Sequence, residues 1–440
     1  MLNAIWLGLV LVSVVYAAFT GTMPAVTKAA FESAESAVSL VIKLSGFMIF
    51  MLGAMRVASD AGLLAAFARW LAPILRRLFP EVPPDHPAMG AMVMNMASNM
   101  LGLGNAATPF GLKAMVELNR LNPHPGVATN AMVLFLVLAA TALHLMAPTG
   151  TMAVRAAAGS ASPGAIWIPT LIATACSTLA GIAMVFALRG RARYAVRPQQ
   201  DAPPVAPAAI GADGQETDAP PPAPPASAPR TALAAAIGIA LLAAIAWQIA
   251  SPWRGVPWRG RTSIDAMREI AESWLIPLLV TGLLLVGLCR GVRIYESMVA
   301  GAREALDVVV RIVPYLVVIM VAVGMLQGSG VLDLVIARLE PFTSAIGFPA
   351  AALPMALLRP LSGTGAFGVM AAILERHGPD SFVGMVASTL QGATDTTFYV
   401  LTLYCGSVGV RDMRHAVAAC LIGDLAGFAG ATAACHLFFG

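Results

Sequence analysis

The sequence predicts an all-α polytopic membrane protein that contains two repeated helical units with broken or re-entrant helices. Apolar segments of roughly membrane-spanning length recur along the chain, Pro and Gly interrupt several of them, and the two halves resemble each other. The chain is 58% hydrophobic and 11% charged, whereas ordinary soluble domains carry roughly 25% charged residues. We therefore expect a multi-pass protein whose surroundings are the lipid bilayer.

The first unit, residues 1–190, contains four apolar segments that we predict to be membrane spans. They cover residues 5–19, 44–55, 127–147 and 166–188. Residues 24–41 and 62–78 carry charged side chains at helical spacings, which is typical of helices that lie at the membrane surface.

A run of amide and hydroxyl side chains interrupts the apolar segment 87–115. Asn95, Asn99, Asn105 and Thr108 lie there among Met, Ala and Gly residues, and we call these four the amide cluster. In a water-exposed loop they would indicate only a turn. Between apolar flanks they favour a broken helix or re-entrant element, whose polar groups are candidates for solute binding.

The middle of the chain separates the two units. Residues 191–230 are rich in Pro and Ala, which predicts a flexible linker, and residues 231–271 are predicted to be an extra transmembrane helix with a loop. The second unit, residues 272–440, has apolar segments at 274–288, 301–327, 331–339, 349–374, 383–404 and 416–439. Since a span needs roughly 20 residues, we expect about eleven crossings in all.

Residues 359–365, which we call the arginine break, read Arg-Pro-Leu-Ser-Gly-Thr-Gly. Proline removes a backbone donor and glycine relaxes φ, so a continuous helix is not expected there. An ionised side chain at mid-bilayer depth costs roughly 2.5–3.5 kcal/mol and usually faces a protein interior or a watery cavity. Arg359, Ser362 and Thr364 are thus candidate site residues, and Asp424 in the last span is a further buried-charge candidate. A kink between two short surface helices is the alternative.

A second polar run, residues 391–397, follows in the next apolar segment, and we call it the threonine–acid cluster. Its candidate site residues are Gln391, Thr394, Asp395 and Thr397. Asp395 is expected to pair with Arg359 at rest or to carry a coupling proton or sodium ion. The simpler alternative is that an Arg359–Asp395 pair only holds two helices together.

Three blocks of matching residues indicate an internal repeat. At a shift of 268, Lys43, Gly62 and Pro73 match Arg311, Gly330 and Pro341. At a shift of 256, Pro123, Gly150 and Arg155 match Pro379, Gly406 and Arg411, and between these blocks residues 102–104 match 363–365. Asp395 then falls opposite Ala139, so the first copy is neutral where the second is charged. Parallel and inverted arrangements of the two copies both stay open.

Long motifs in both halves resemble a known family. HPAMGAMVMNMASNMLGLGNAATPFGLKAM, residues 86–115, resembles spore maturation protein A. RPLSGTGAFG, residues 359–368, and GPDSFVGMVASTLQGATDTTFYVLTLYCGSVGVR, residues 378–411, resemble spore maturation protein B. The resemblance implies a natural fusion of the two, a pair of gate-like units of the nucleoside-recognition family, and a place in the bacterial inner membrane.

Several functional classes do not fit the sequence. The net charge of +4 is small and spread over loops, so a nucleic-acid-binding face is not expected. The five Cys and six His residues show no CxxC pair, Cys/His metal spacing or HExxH motif, and the chain has no nucleophile elbow or Walker loop. We expect no enzyme activity, no metal and no cofactor.

The leading hypothesis is a membrane transporter or channel for a small polar solute, either nucleoside-like or a small organic anion. The amide cluster would supply paired donors and acceptors, and Arg359 could bind a carboxylate or phosphate through two parallel hydrogen bonds. The alternative is a scaffold or regulator of the spore-maturation type that moves no solute. A homo-oligomer is compatible with either hypothesis.

Overall fold

The computed structural model describes residues 2–102, 104–146, 148–194, 227–250 and 274–440. These residues form helices joined by turns and short loops, with one isolated β-bridge between Val127 and Asp412. The predicted all-α class is confirmed. Most of the predicted linker, and the loop that follows the predicted extra helix, lie outside the described residues.

Eight α-helices precede the linker in the described part of the chain. They are α1 (Leu2–Thr20), α2 (Met23–Asp60), α3 (Leu63–Leu78), α4 (Pro87–Met100), α5 (Gly104–Arg120), α6 (Asn130–Thr141), α7 (Thr149–Ala157) and α8 (Trp167–Leu188). Helix α9 (Ala228–Ala250) covers the predicted extra helix and packs on the first helix of the second unit.

The second unit contributes α10 (Leu275–Arg290), α11 (Ile294–Ser329), α12 (Val331–Ser344), α13 (Leu353–Leu358), α14 (Gly363–His377), α15 (Phe382–Ala393), α16 (Thr397–Ser407) and α17 (Ala416–Phe439). A 3-10 turn at Ala350–Ala352 leads into α13. The predicted breaks within 87–115 and within 349–374 are both present, between α4 and α5 and between α13 and α14.

Two predicted spans are themselves broken. Residues 127–147 contain α6, which ends at Thr141, and residues 383–404 are divided between α15 and α16. Pro148 disfavours helix in the residue before it, and Ala142 has a left-handed φ of 30°. In the second unit the Asp395 Oδ1 atom accepts a hydrogen bond from Thr396 N at 2.7 Å, which replaces a helical partner for that N–H group.

The predicted surface helix 24–41 and the predicted span 44–55 form one continuous helix, α2. Ile42 and Lys43 between them do not break a helix, and the charges of Lys28 and Glu32 form an i,i+4 ion pair on its exposed side. By length and apolar composition, three helices in the described residues can cross a membrane, namely Met23–Asp60, Pro163–Leu188 and Ala416–Phe439. A pair bent by 78° at Gly330 makes a fourth candidate. The expected eleven crossings are too many by this criterion, because several apolar segments are half-length helices.

The internal repeat is visible in the order of the helices, since the series from α2 to α8 recurs from α11 to α17. Both long helices are followed within two residues by a glycine with positive φ, Gly62 at 76° and Gly330 at 85°, where other residues would be strained. The helices that follow them contain Pro73 and Pro341 respectively. These are the glycine and proline pairs that the shift of 268 predicts.

The two units are inverted relative to each other. Helices α2 and α11 are equivalent and pack side by side, with Gly53 against Met298 and Gly324 against Ser33. Positions rise along one helix as they fall along the other, so the pair is antiparallel. The contact of Gly301 with Arg56 is the repeat-related copy of the contact of Gly324 with Ser33, because the shift of 268 takes Ser33 to Gly301 and Arg56 to Gly324.

The same relation holds between α8 and α17. Gly423 lies against Ser177, and Gly430 lies against Cys176 and Ala173. These contacts again run in opposite directions along the two helices. A two-fold pseudo-axis between the units therefore settles the orientation that the sequence left open.

A pair of glycines in α2 tests the close packing of α2 on α11. A Cβ added at Gly53 would lie 2.8 Å from the carbonyl oxygen of Met298, whereas one added at Gly46 meets nothing within 4 Å. Gly53→Ala is expected to destabilise the protein by about 1–3 kcal/mol through overpacking. Gly46→Ala should be neutral or stabilising by up to about 1 kcal/mol, because Ala favours the helix. Thermal unfolding in detergent measures both, and equal shifts for the two variants would contradict the proximity.

Candidate functional site

Four helix breaks, two from each unit, lie close together. Within the first unit Leu145 N donates to Met100 O at 3.0 Å, which joins the α6–α7 break to the end of α4. Within the second unit Phe398 N donates to Pro360 O at 3.0 Å, which joins the corresponding elements. Asp395 N then donates to Ala140 O at 2.8 Å and links the two units. Backbone groups freed by the breaks thus find partners inside the protein, as they must at membrane depth.

Arg359 is buried at the centre of the second-unit breaks, with 6% of its surface exposed. Its guanidinium donates to Thr396 Oγ1 at 3.1 Å and to the backbone oxygen of Thr394. Its Nε atom has no hydrogen-bond partner among the described residues. Gly363 gives the side chain room, because a Cβ there would lie 2.7 Å from Thr396 Oγ1.

Asp395 does not pair directly with Arg359, which was one of the two roles that the sequence suggested for it. No ion pair between them occurs in the part of the chain that the structure describes, and the Asp395 side chain is half-buried. Thr394 and Thr396 both have extended backbone, where successive side chains point to opposite sides. Arg359 therefore meets Thr396, while Asp395 caps the N–H of its neighbour at 2.7 Å.

Asp424 on α17 lies in the same region and is more deeply buried than Asp395. It is 2% exposed, and its Oδ2 atom accepts a hydrogen bond from Thr397 Oγ1 at 2.8 Å. Its Oδ1 atom has no partner in the described structure. Thr397 of the threonine–acid cluster thus donates a hydrogen bond to a carboxylate on another helix. Asp424 stood out in the sequence as a charge in an apolar span, but its partner could not be read from spacing.

Of the amide cluster, Asn95 makes side-chain hydrogen bonds in the described structure. Asn95 Nδ2 donates to Ala107 O at 2.7 Å and to the Tyr404 hydroxyl of the second unit at 3.2 Å. Its Oδ1 atom is buried without a partner in the residues that the structure covers. Asn99 is 9% exposed at the end of α4, and Thr108 is half-buried. The side chain of Asn105 lies outside the described residues.

The remaining predicted site residues are Ser362, Thr364 and Gln391. Ser362 is the N-cap of α14, where its Oγ atom accepts from Gly365 N at 3.0 Å, so its position has a local structural cause. Thr364 is half-buried beside it. Gln391 is 4% exposed in α15, and its Oε1 atom has no partner among the described atoms.

The helix boundaries change the register of the repeat in its second part. Helices α6 and α15 begin 252 residues apart rather than 256. At a shift of 252 the position of Thr396 corresponds to His144, whereas at a shift of 256 it corresponds to Ala140, which lies before the break. The His144 ring is close enough to Asp395 and Arg359 to feel both charges. The first copy therefore carries a titratable group in its break, although it lacks a counterpart of Arg359.

One cavity in the described part of the chain lies away from this cluster. It has a volume of about 240 Å³ and is lined by residues that include Glu81, Asn122, His124, Asn130 and Arg414. None of the eleven predicted site residues lines it. Within the described residues, no group of three or more His, Cys, Asp or Glu side chains is placed to hold a metal ion.

Comparison with known proteins agrees with the division of the chain into two related units. A family model for the Gate domain, described as nucleoside recognition, matches residues 41–190 and 309–411, which together are more than half of the chain. No solved structure matches.

Two relatives from Bacillus subtilis (strain 168) match different halves of the chain. Spore maturation protein B is 44% identical over 172 residues, which cover 38% of this chain and 97% of the relative. Spore maturation protein A is 40% identical over 182 residues, which cover 41% of this chain and 92% of the relative. The chain is a multi-pass membrane protein that belongs to the Gate, or nucleoside-recognition, family and is related through its two halves to spore maturation proteins A and B.

Proposed function

We propose that this protein is a transporter or channel for a small polar solute, nucleoside-like or a small organic anion, in the inner membrane of a bacterium. The observation that carries the proposal is the meeting of four helix breaks from two inverted units around buried polar side chains. In transporters built from inverted repeats, discontinuous helices form the solute and ion sites at the interface between the repeats. Ionised groups inside a membrane are costly and are usually functional.

The chemistry of the side chains narrows the class of solute. Arg359 supplies a fixed positive charge with a free Nε donor, which suits a carboxylate or phosphate. Asn95 and Gln391 each have an amide oxygen without a partner in the described structure, which suits the donor edge of a nucleobase or the hydroxyls of a ribose. The family description, nucleoside recognition, supports the second of these.

A scaffold or regulator that moves no solute is the second candidate. Arg359 already donates to Thr394 and Thr396, so its charge contributes to holding α13 against the α15–α16 break. The relatives are named for spore maturation rather than for transport. On this reading the buried polar cluster serves only to fix the relative position of the two units.

A ligand-stabilisation screen on the purified full-length protein distinguishes the two candidates. Nucleosides, nucleotides, dicarboxylates and other small anions are tested for their effect on thermal unfolding, and those that stabilise are tested for uptake into proteoliposomes. A solute at 100 times its dissociation constant should stabilise the folded state by about 2.7 kcal/mol. The solute should be recovered chemically unchanged, since we propose no enzyme activity. A screen without stabilisation or uptake in any class would favour the scaffold.

A further inference from the structure

The charges in the buried cluster do not balance. Arg359 is the cation there, and the Asp395 and Asp424 carboxylates both act on it electrostatically. One guanidinium against two carboxylates, of which Asp424 is buried and Asp395 half-buried, leaves an excess of negative charge. Such an excess is costly at low dielectric, and binding of one small cation would remove it.

Asp424 is better placed than Asp395 to hold that cation. Its Oδ1 atom is buried without a partner in the described structure, whereas Asp395 is half-buried and one of its oxygens accepts from Thr396 N. Thr397 fixes the other oxygen of Asp424 at 2.8 Å. The carboxylate is therefore held in one orientation with an oxygen left over.

Nearby hydroxyl groups provide further oxygen atoms that could bind a cation. The Thr394 hydroxyl faces the Asp424 carboxyl but makes no hydrogen bond of normal geometry within the described residues. Thr394 and Ser177 are both fully buried, and each places a carbon 3.1 Å from a Cβ built at Gly427, one turn along α17 from Asp424. The Ser177 hydroxyl also lacks a partner among the described atoms.

The end of α15 adds a favourable field. This 12-residue helix ends at Ala393, so its last carbonyl groups point toward the break and carry the negative end of the helix dipole. The Ala393 oxygen itself lies 3.5 Å from the Cβ position of Gly427. Helix C-terminal ends and unwound carbonyls coordinate Na⁺ or protons in transporters with broken helices.

We propose that Asp424, with the hydroxyls of Thr394 and Thr397 at the C-terminal end of α15, forms a binding site for one monovalent cation, either a proton or Na⁺. The site deepens the proposed function, on which its role in coupling rests, but the binding itself needs no transported solute. Charged or titratable groups that face Asp424 from neighbouring elements are Arg359 and Asp395, with Cys420 one turn away on α17. The His144 ring is close enough to Asp395 and Arg359 to feel the charges of both.

The test measures unfolding of the full-length protein in two arms. In the first, NaCl replaces choline chloride at constant ionic strength. At 100 times its dissociation constant, Na⁺ should shift the unfolding equilibrium about 100-fold toward the folded state. In the second, pH is varied without Na⁺, and a proton bound at this site changes the unfolding equilibrium by up to tenfold per pH unit.

Asp424→Asn is compared with Asp395→Asn, which removes the same charge from the same cluster. Asp395→Asn also removes the excess negative charge and should weaken the Na⁺ or one-proton pH response of the wild type, whereas Asp424→Asn removes the binding carboxylate and should abolish it. That order of effects supports the site and identifies the cation. A response that persists in Asp424→Asn, or the lack of any response in the wild type, overturns it. Thr397→Val, which removes only the hydroxyl that orients the carboxylate, should weaken the response about tenfold and serves if Asp424→Asn does not fold. A failed solute screen leaves this measurement unaffected.

Discussion

Arg155→Met is expected to lower the free energy of unfolding by about 3–5 kcal/mol, the largest stability effect that we predict. Arg155 is fully buried in α7. Its guanidinium donates to Pro379 O at 2.6 Å, to Ser160 Oγ at 3.1 Å and to Asp380 Oδ1 at 2.9 Å. Arg155 belongs to the first unit and Asp380 to the second, so the substitution leaves acceptors from both units without a donor.

The matched control is Asp380→Asn. The Asp380 side chain is 39% exposed, so water can replace much of what the carboxylate loses, and Asn keeps an acceptor oxygen. Arg155 itself stays fully buried and loses its counter-charge, so we expect a cost of about 1–3 kcal/mol. Thermal and denaturant unfolding in the same detergent measure both variants. A cost below about 1 kcal/mol for Arg155→Met would show that the contact of Arg155 with Pro379 and Asp380 contributes little to stability.

Arg359→Ala is expected to abolish binding and uptake of any anionic solute that the screen identifies, with a loss of at least about 100-fold. The substitution removes the positive charge and leaves Asp395 and Asp424 without the cation that acts on both of them. Neutral nucleosides should lose less, because they depend on amide oxygens such as Asn95 Oδ1 rather than on the guanidinium. Equilibrium binding and uptake, each normalised to folded protein, measure the effect.

Arg359→Lys separates charge from geometry. Lysine keeps the positive charge but cannot reach both Thr394 O and Thr396 Oγ1 with a planar fork, so affinity for an anion should fall by an intermediate amount. If Arg359 only holds helices together, both substitutions should lower stability while the remaining folded protein binds solute normally. That result would remove Arg359 from the solute site.

The sequence predicted those features that depend on local chemistry. Composition indicated a multi-pass membrane protein, and the Pro and Gly residues of 87–115 and 359–365 predicted two of the four helix breaks. Gly62 and Gly330 were paired by the shift of 268 and do follow equivalent helices with positive φ. These features could be inferred because backbone restrictions at Gly and Pro act on the residue itself.

Two further breaks were missed, because the local signals at them, Pro148 and Asp395, do not by themselves end a helix. Residues 383–404 have the length and hydropathy of a span, but Asp395 N donates to Ala140 O of the other unit at 2.8 Å. The acceptors of Arg359 were not predicted either, because the extended backbone of the break turns Thr394 O and Thr396 Oγ1 toward it. Tyr404 as a partner of Asn95 was not predicted either, and no signal in the sequence joins them.

Composition, hydropathy and short motifs were enough to identify an all-helical membrane protein with two related units, and to locate the segments that carry polar groups in apolar surroundings. Tertiary contacts were needed to show that the units are inverted, that α2 runs antiparallel to α11 and α8 to α17, and that Asp424 keeps a buried oxygen without a partner among the described residues. The physical reason is that hydropathy and backbone preference act within a few residues along the chain. Packing direction and hydrogen-bond partners depend on contacts between residues more than 200 positions apart, as between Gly53 and Met298.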